Sequence, residues 1–313
     1  MKGNQSQSVR VLNRQLVLFF FILLAVLGLR AQEIPDGPPA ADEVRFVAVG
    51  DTGNGNDEQR RVAQQMLAVQ GKSRFDLIVF LGDNIYPNGE PKDFGRKFAE
   101  PYRPFIENET RLRAVVGNHD ARSEAGMLLQ QMLFGMGGKT YYSFIEGGGL
   151  IEFFALDSNP LARGENAAAE AAQLLWLESA LAASKARWKI VLLHHALYSS
   201  AKKHGWNSDD EDEMRRVREA VEPLLEKHGA QIVIGAHDHV YERTKPQKGI
   251  HHFVSGAGSE VRRGDLQTNS PFYEFGHDRE PSFMLFSVKP DAVAFWAVTG
   301  AGAVVDRGEI RRK

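Results

Sequence analysis

Five short segments of this 313-residue chain share one layout, an apolar run that breaks off in Gly, Asp, Asn or His. They are Val49-Gly50-Asp51-Thr52-Gly53, Leu81-Gly82-Asp83-Asn84-Ile85-Tyr86, Val116-Gly117-Asn118-His119-Asp120, Leu193-His194-His195 and Gly235-Ala236-His237-Asp238-His239. Each reads as a strand that ends abruptly. In open α/β sheets, ligands gather beyond the carboxyl ends of the strands, so five such ends would build a single site on one rim. Glycine lets the backbone turn sharply there and leaves room for an ion. A lone Gly-Asp after a strand is a common turn, and His-x-His only places two imidazoles on one strand face. The constraint comes from finding five such ends in one chain.

The groups collected are Asp51, Asp83, Tyr86, Asn118, His194, His237 and His239. Oxygen and imidazole donors without sulfur suit iron, manganese or zinc. Seven side chains are too many for one such ion. They fit two ions that share a carboxylate, an arrangement used for in-line displacement at phosphorus. The chain has no cysteine, which excludes thiolate zinc sites, iron–sulfur clusters and a disulfide-linked dimer.

The elements around these ends alternate. Residues 44–49, 76–81 and 112–116 read as strands, with helices over Asp57–Gln70 and, less regularly, Phe94–Phe105. Further strands are expected at 141–145, 150–156, 188–193, 231–234, 251–254, 283–288 and 293–298. Helices are expected over Ala167–Ser184 and Glu211–Lys227, the latter kinked or divided at Pro223. Alternating strands and helices define an α/β fold, here two sheets packed face to face with helices outside. No internal repeat or second domain is apparent.

The N-terminus differs. Lys2, Arg10 and Arg14 precede an unbroken apolar run from Leu16 to Leu29, followed by Arg30, Ala31 and a Pro-rich stretch. Basic residues, a short apolar run and a small residue describe a secretory signal, residues 1–31, cleaved after Ala31. An uncleaved anchor is the alternative, although a bilayer crossing needs about 20 apolar residues. Residues 32–43 read as a linker and 44–313 as the catalytic domain, exported to the periplasm, the exterior or a membrane tether. Losing residues 1–31 removes four of the 38 basic side chains and none of the 40 acidic ones, leaving a net charge of −6. An acidic domain with no basic stripe is a poor nucleic-acid binder.

Gly50-Asp51-Thr52-Gly53, Gly82-Asp83-Asn84-Ile85-Tyr86, Gly117-Asn118-His119-Asp120, Val191-Leu192-Leu193-His194 and His237-Asp238-His239-Val240-Tyr241-Glu242-Arg243 resemble the ordered motif set of calcineurin-like metallophosphoesterases. Tyr86 and the final Val-Tyr-Glu-Arg narrow the resemblance to the purple acid phosphatases. It covers about residues 44–258. With no large N-terminal domain, the chain is similar to the small, tartrate-resistant-like branch. The resemblance implies that Asp51, Asp83, Tyr86 and His239 hold a ferric ion, that Asp83 bridges, and that Asn118, His194 and His237 hold Fe(II), Zn(II) or Mn(II). It also implies a metal-bound hydroxide as nucleophile, with His119 as general acid and His204 as a second substrate-facing histidine. Phenolate on ferric iron gives the purple colour. Asp120 is expected to orient His119.

Other polar residues have plainer readings. His195, His251 and His252 read as structural, and His228 as a helix C-terminal residue. Asp157 reads as a turn or cap, Glu242 and Arg243 as ion-pair residues, and Tyr142, Trp176 and Trp188 as core. Ala236 stands where the family often has glycine. Asp238, between two ligands, falls on the opposite strand face.

The expected activity is phosphate monoester hydrolysis on small substrates, an acid phosphatase. A phosphodiesterase or nucleotide hydrolase is the alternative on the same site. The loops at 88–100, 123–139 and 201–212 would decide between them. A non-catalytic, metal-stabilised binding protein is the reading from another class. Degenerate members lose ligands first, and here no ligand position is lost.

Overall fold

A computed structural model describes residues 33–208 and 210–312. The expected signal or anchor segment therefore lies outside the described residues. Among the described residues no helix is long and apolar enough to cross a membrane. The compact unit starts at Asp36.

In chain order it contains β1 (Val44–Val49), α1 (Asp57–Lys72), β2 (Leu77–Phe80), α2 (Glu100–Glu107), β3 (Arg111–Ala114), α3 (Glu124–Leu133), β4 (Tyr142–Glu146) and β5 (Ile151–Ala155). There follow α4 (Ser158–Arg163), α5 (Ala167–Ala183), β6 (Trp188–His195), α6 (Glu211–Lys227), β7 (Ile232–Ala236), β8 (Tyr241–Thr244), β9 (His251–Ser255), β10 (Tyr273–His277), β11 (Ser282–Val288), β12 (Ala292–Thr299) and β13 (Val304–Arg311). Two sheets result, ordered β13-β12-β11-β1-β2-β3 and β10-β8-β9-β7-β6-β5-β4. This is the expected α/β architecture.

The central strands are apolar on both faces, as parallel strands under helices must be: Leu77-Ile78-Val79-Phe80 is wholly buried. Strands β1, β2 and β3 run parallel in one sheet, and β5, β6, β7 and β9 run parallel in the other. The inner faces share one core. Phe46 stacks on Phe286 at 4.8 Å and meets Phe153 edge-on at 5.0 Å, linking the sheets. Parallel pairing fixes where the site must lie, because β1, β2, β6 and β7 all finish at the same edge.

The helices start where caps allow. Asn56, Ser123 and Asn166 each accept a hydrogen bond from a first-turn N–H of α1, α3 and α5, and Asp157 does the same for α4 through Asn159. Caps of this kind are worth about 1 kcal/mol each. Asp157 therefore has the cap role read from sequence.

The helix expected over Phe94–Phe105 is present, wound wide as a π-helix over Gly95–Ala99 before it runs into α2. Two expectations need correction. Helix α6 continues through Pro223 as one element; its amphipathic face buries Met214, Val217, Val221 and Leu225, and that packing outweighs one lost backbone bond. Glu242 and Arg243, neighbours on β8, face opposite ways. Arg243 pairs with Asp306 at 2.8 Å and Glu274 at 2.6 Å, whereas the Glu242 carboxylate accepts the Ser200 N–H at 2.7 Å.

Candidate metal centre

The turn after β1 places Asp51, the turn after β2 places Asp83, and the turn after β7 places His237. All three adopt positive φ, at 55°, 53° and 72°. Left-handed backbone costs a non-glycine residue of order 1 kcal/mol or more, and such strain collects at functional sites. The turns interlock. The Asp51 N–H donates to the Gly82 carbonyl at 3.0 Å, and Asp51 Oδ2 accepts the His237 N–H at 2.9 Å. Gly117 is required by contact: a Cβ there would stand 2.1 Å from Asp83 N and Oδ1.

The seven side chains named from sequence meet in two groups. In the first, the Tyr86 hydroxyl donates to Asp51 Oδ1 at 2.9 Å and lies 3.3 Å from His239 Nε2. His239 Nε2 is 3.4 Å from Asp51 Oδ1. In the second, His194 Nε2 lies 3.0 Å from Asn118 Oδ1 and 3.2 Å from His237 Nδ1. Asp83 belongs to both. Its Oδ2 is 3.6 Å from His194 Nε2, and its charge adds to burial and Asp51 in holding the Tyr86 phenol raised.

Donor chemistry decides whether metal ions suit this arrangement. His194 Nδ1 donates to the Leu81 carbonyl at 2.8 Å, so in the neutral ring Nε2 offers its lone pair to the cluster. Burial, reinforced by the charges of His195 and its neighbours, holds His237 well below the usual imidazole range, in the neutral form a metal needs. Burial alone would raise the Asp51 carboxyl, but His239, His194 and the Tyr86 hydroxyl outweigh it and hold it lowered. Burial, with Asp51 and Asp83, keeps the Tyr86 phenol well above its ordinary value. Tyr86 therefore enters a metal shell only where the charge of the ion displaces its proton. The atoms of Asp51, Asp83 and His194 come within 4.8 Å of one another. The residues fit a pair of cations that share Asp83.

His119 stands beside the cluster, half-buried, its ring edge-on to Tyr86 at 4.7 Å. Its N–H donates to Asp83 Oδ1 at 2.9 Å, and its Nδ1 donates to the Pro87 carbonyl at 2.7 Å. The orienting partner of His119 is thus a backbone carbonyl and not Asp120. Asp120 is wholly buried and accepts the backbone N–H groups of Asn84, Ile85 and Gly117, locking the second and third turns together. Burial, with the nearby Asp83 charge, pushes its carboxyl up to about 7.

His204 lies against His237, ring centroids 4.1 Å apart. His195 packs its ring 4.5 Å from that of His237, with Nδ1 2.8 Å from Ser158 Oγ and Nε2 3.8 Å from Glu213; Glu213, His195 and His237 form a second group of potential ligands. Ala236 fits because its partner is glycine, a Cβ on Gly50 standing 2.4 Å from Ala236 Cβ. Sequence reasoning missed the turn after β9. Ser259 Oγ donates to the Asp51 carbonyl at 2.5 Å, and a Cβ on Gly256 would stand 2.8 Å from Asp51 Oδ2. Gly256-Ala257-Gly258 after an apolar run was the available signal. A groove of about 630 Å³ at the opposite, amino ends of β2 and β3, lined by Gly37, Arg74 and Asn108 among others, includes none of these residues.

Strand-end turns that bring paired carboxylates, an amide and histidines to the rim of a two-sheet α/β sandwich define a metallophosphoesterase. The chain belongs to the calcineurin-like phosphoesterase family, which it matches over residues 44–241. Within that family it is similar to the purple acid phosphatases. It is 28% identical to purple acid phosphatase 17 of Arabidopsis thaliana, over 91% of this chain and 90% of that protein. It is 25% identical to tartrate-resistant acid phosphatase type 5 of Homo sapiens, over 83% of this chain and 87% of that protein. Among solved structures, the fold matches purple acid phosphatase PPD1 from yellow lupin (Lupinus luteus) seeds with a TM-score of 0.72 at 20% identity, covering 88% of this chain and 55% of that one; the chain thus spans about half the length of the lupin protein. It also matches GAP50, the anchor in the inner membrane complex of Plasmodium, with a TM-score of 0.69 at 19% identity, covering 87% of this chain and 90% of that one. At these identities the structural matches speak for the fold alone.

Proposed function

We propose that this chain hydrolyses phosphate monoesters with two metal ions, as an exported acid phosphatase of the purple acid phosphatase kind. The observation that carries this reading is the position of Asp83 between the Asp51–Tyr86–His239 group and the Asn118–His194–His237 group, with His119 at the edge of both. Asp51, Asp83, Tyr86 and His239 would hold Fe(III), since a buried phenol gives up its proton to a trivalent ion more readily than to a divalent one. Asn118, His194 and His237, again with Asp83, would hold Fe(II), Zn(II) or Mn(II). The ions supply acidification of a water and neutralisation of charge on the phosphoryl oxygens.

The remaining work falls to the side chains. His119 delivers a proton from Nε2 to the leaving alkoxide, while the Pro87 carbonyl accepts from Nδ1 and supports the doubly protonated ring. His204 faces the phosphoryl group from the side of His237. The basic, apolar and small-residue order of residues 2–31 supports export.

Phosphate release by the iron- and zinc-loaded protein from p-nitrophenyl phosphate, bis-p-nitrophenyl phosphate and nucleotides tests the reading. Turnover of the monoester above the diester is expected. Turnover of the diester alone would favour a phosphodiesterase, and no release from any of them would overturn the assignment.

A further inference from the structure

Asp238 separates two proposed ligands in sequence; β7 ends at Ala236, so the turn after it, and not strand alternation, sets where its carboxylate goes. Its side chain is fully buried. A buried carboxylate persists only with partners, and here they are specific. Oδ2 accepts the Ser199 hydroxyl at 2.6 Å, Oδ1 lies 3.0 Å from His204 Nδ1, and Arg262 is 4.0 Å away. The loop that carries His204 is pinned at its base. Lys202 N–H donates to the Asp265 carbonyl, Gln267 N–H to the Ser200 carbonyl and Trp206 N–H to the Ser199 carbonyl, each at 2.8 Å. A pinned loop sets where His204 Cα lies, but it leaves the ring free to turn. The carboxylate on Nδ1 removes that freedom. It fixes the proton on Nδ1, lays the ring against His237 at a 31° interplanar angle, and leaves Nε2 for a ligand.

We propose that Asp238 is the positioning residue for His204, and that Ser199 in turn holds Asp238 for that task. The proposal rests on the phosphatase reading for the role of His204, and it concerns an atom-level contact that neither the motif order nor the metal set requires. A carboxylate behind an imidazole fixes tautomer and orientation, and losing such a partner typically costs about 10–100-fold in activity or affinity.

The test is a mutant cycle on the metal-loaded protein with Asp238→Asn, His204→Ala and the double variant, plus Ser199→Ala, which lies further from the ligands. Metal content, kcat/KM for p-nitrophenyl phosphate and the dissociation constant of inorganic phosphate are read for each. The expected result is wild-type metal content in all four, a loss of about 10–100-fold in kcat/KM for Asp238→Asn, a smaller loss for Ser199→Ala, and a double variant no worse than His204→Ala alone. A structural role would instead give losses that multiply. Multiplying losses, an unaffected Asp238→Asn beside an impaired His204→Ala, or metal loss that tracks the activity loss would each overturn the proposal. Should the wild type release no phosphate from any ester, the phosphatase reading fails first. The same cycle read on phosphate binding then decides whether Asp238 acts through His204.

Discussion

Asp83 Oδ2 lies 3.6 Å from His194 Nε2, while the other oxygen of the same carboxylate takes the His119 backbone N–H at 2.9 Å. One side chain thus sits between the two proposed ligand groups and is tied to the turn that carries the proposed general acid.

That placement separates two substitutions. Asp83→Asn should loosen both ions and abolish turnover, whereas His119→Ala should keep both ions and slow turnover by about 10²–10⁴-fold, the usual worth of a general acid. Metal analysis beside steady-state rates checks this. Equal metal loss in both variants would contradict the assigned roles.

Tyr86→Phe removes the hydroxyl that meets Asp51 at 2.9 Å and the only phenol among the proposed ligands. The broad visible absorption of the iron-loaded protein should vanish while the metal held by Asn118, His194 and His237 stays. An unchanged spectrum would mean that Tyr86 is not a ligand.

Gly117→Ala places a methyl 2.1 Å from Asp83 N and Oδ1. Because those atoms are backbone and proposed ligand, neither yields cheaply. Stability should fall by about 1–3 kcal/mol, the usual cost of overpacking, with weaker metal binding. Thermal melts with and without metal would show it, and a wild-type melt would refute the contact.

Burial pushes the Glu242 carboxyl up to about 7 from 4.5, and the Asp238 charge adds to this against the opposing hydrogen bonds of Ser200. A carboxyl raised in the fold stabilises it while protonated. That contribution is complete below pH 4.5 and is lost as the pH rises through about 7. Glu242→Gln stays neutral throughout. Its melting temperature relative to wild type should therefore be higher at about pH 8 than at about pH 5. A difference independent of pH would show that Glu242 does not titrate in this range.

Much of the proposed site was legible because each ligand sits where an apolar run stops, and a strand end is a local signal. Asp51, Asp83, Asn118 and His194 needed only that. The roles of Asp120 and Asp238 were not legible, because they depend on which turn lies opposite. Asp120 reaches Asn84 across 36 positions, and Asp238 reaches His204 across 34. The Pro87 carbonyl that orients His119 is backbone, which no side-chain pattern records. In the fold, the long apolar strands were found. Three strands were not assigned from sequence: β8 and β10, whose Tyr241–Thr244 and Tyr273–His277 mix polar and apolar residues, and β13, a half-exposed edge strand. Helices α3 and α4 were also unassigned: residues 123–139 read as a loop, yet α3 spans Glu124–Leu133, and the six residues of α4 carry too little periodicity.

The most direct test is to strip the protein of metal and titrate iron and zinc back while following p-nitrophenyl phosphate hydrolysis and bound metal together. The account predicts that activity appears only with metal and saturates at two ions per chain. Hydrolysis that survives chelation, saturation at a single ion, or a protein that holds two ions and releases no phosphate would contradict it.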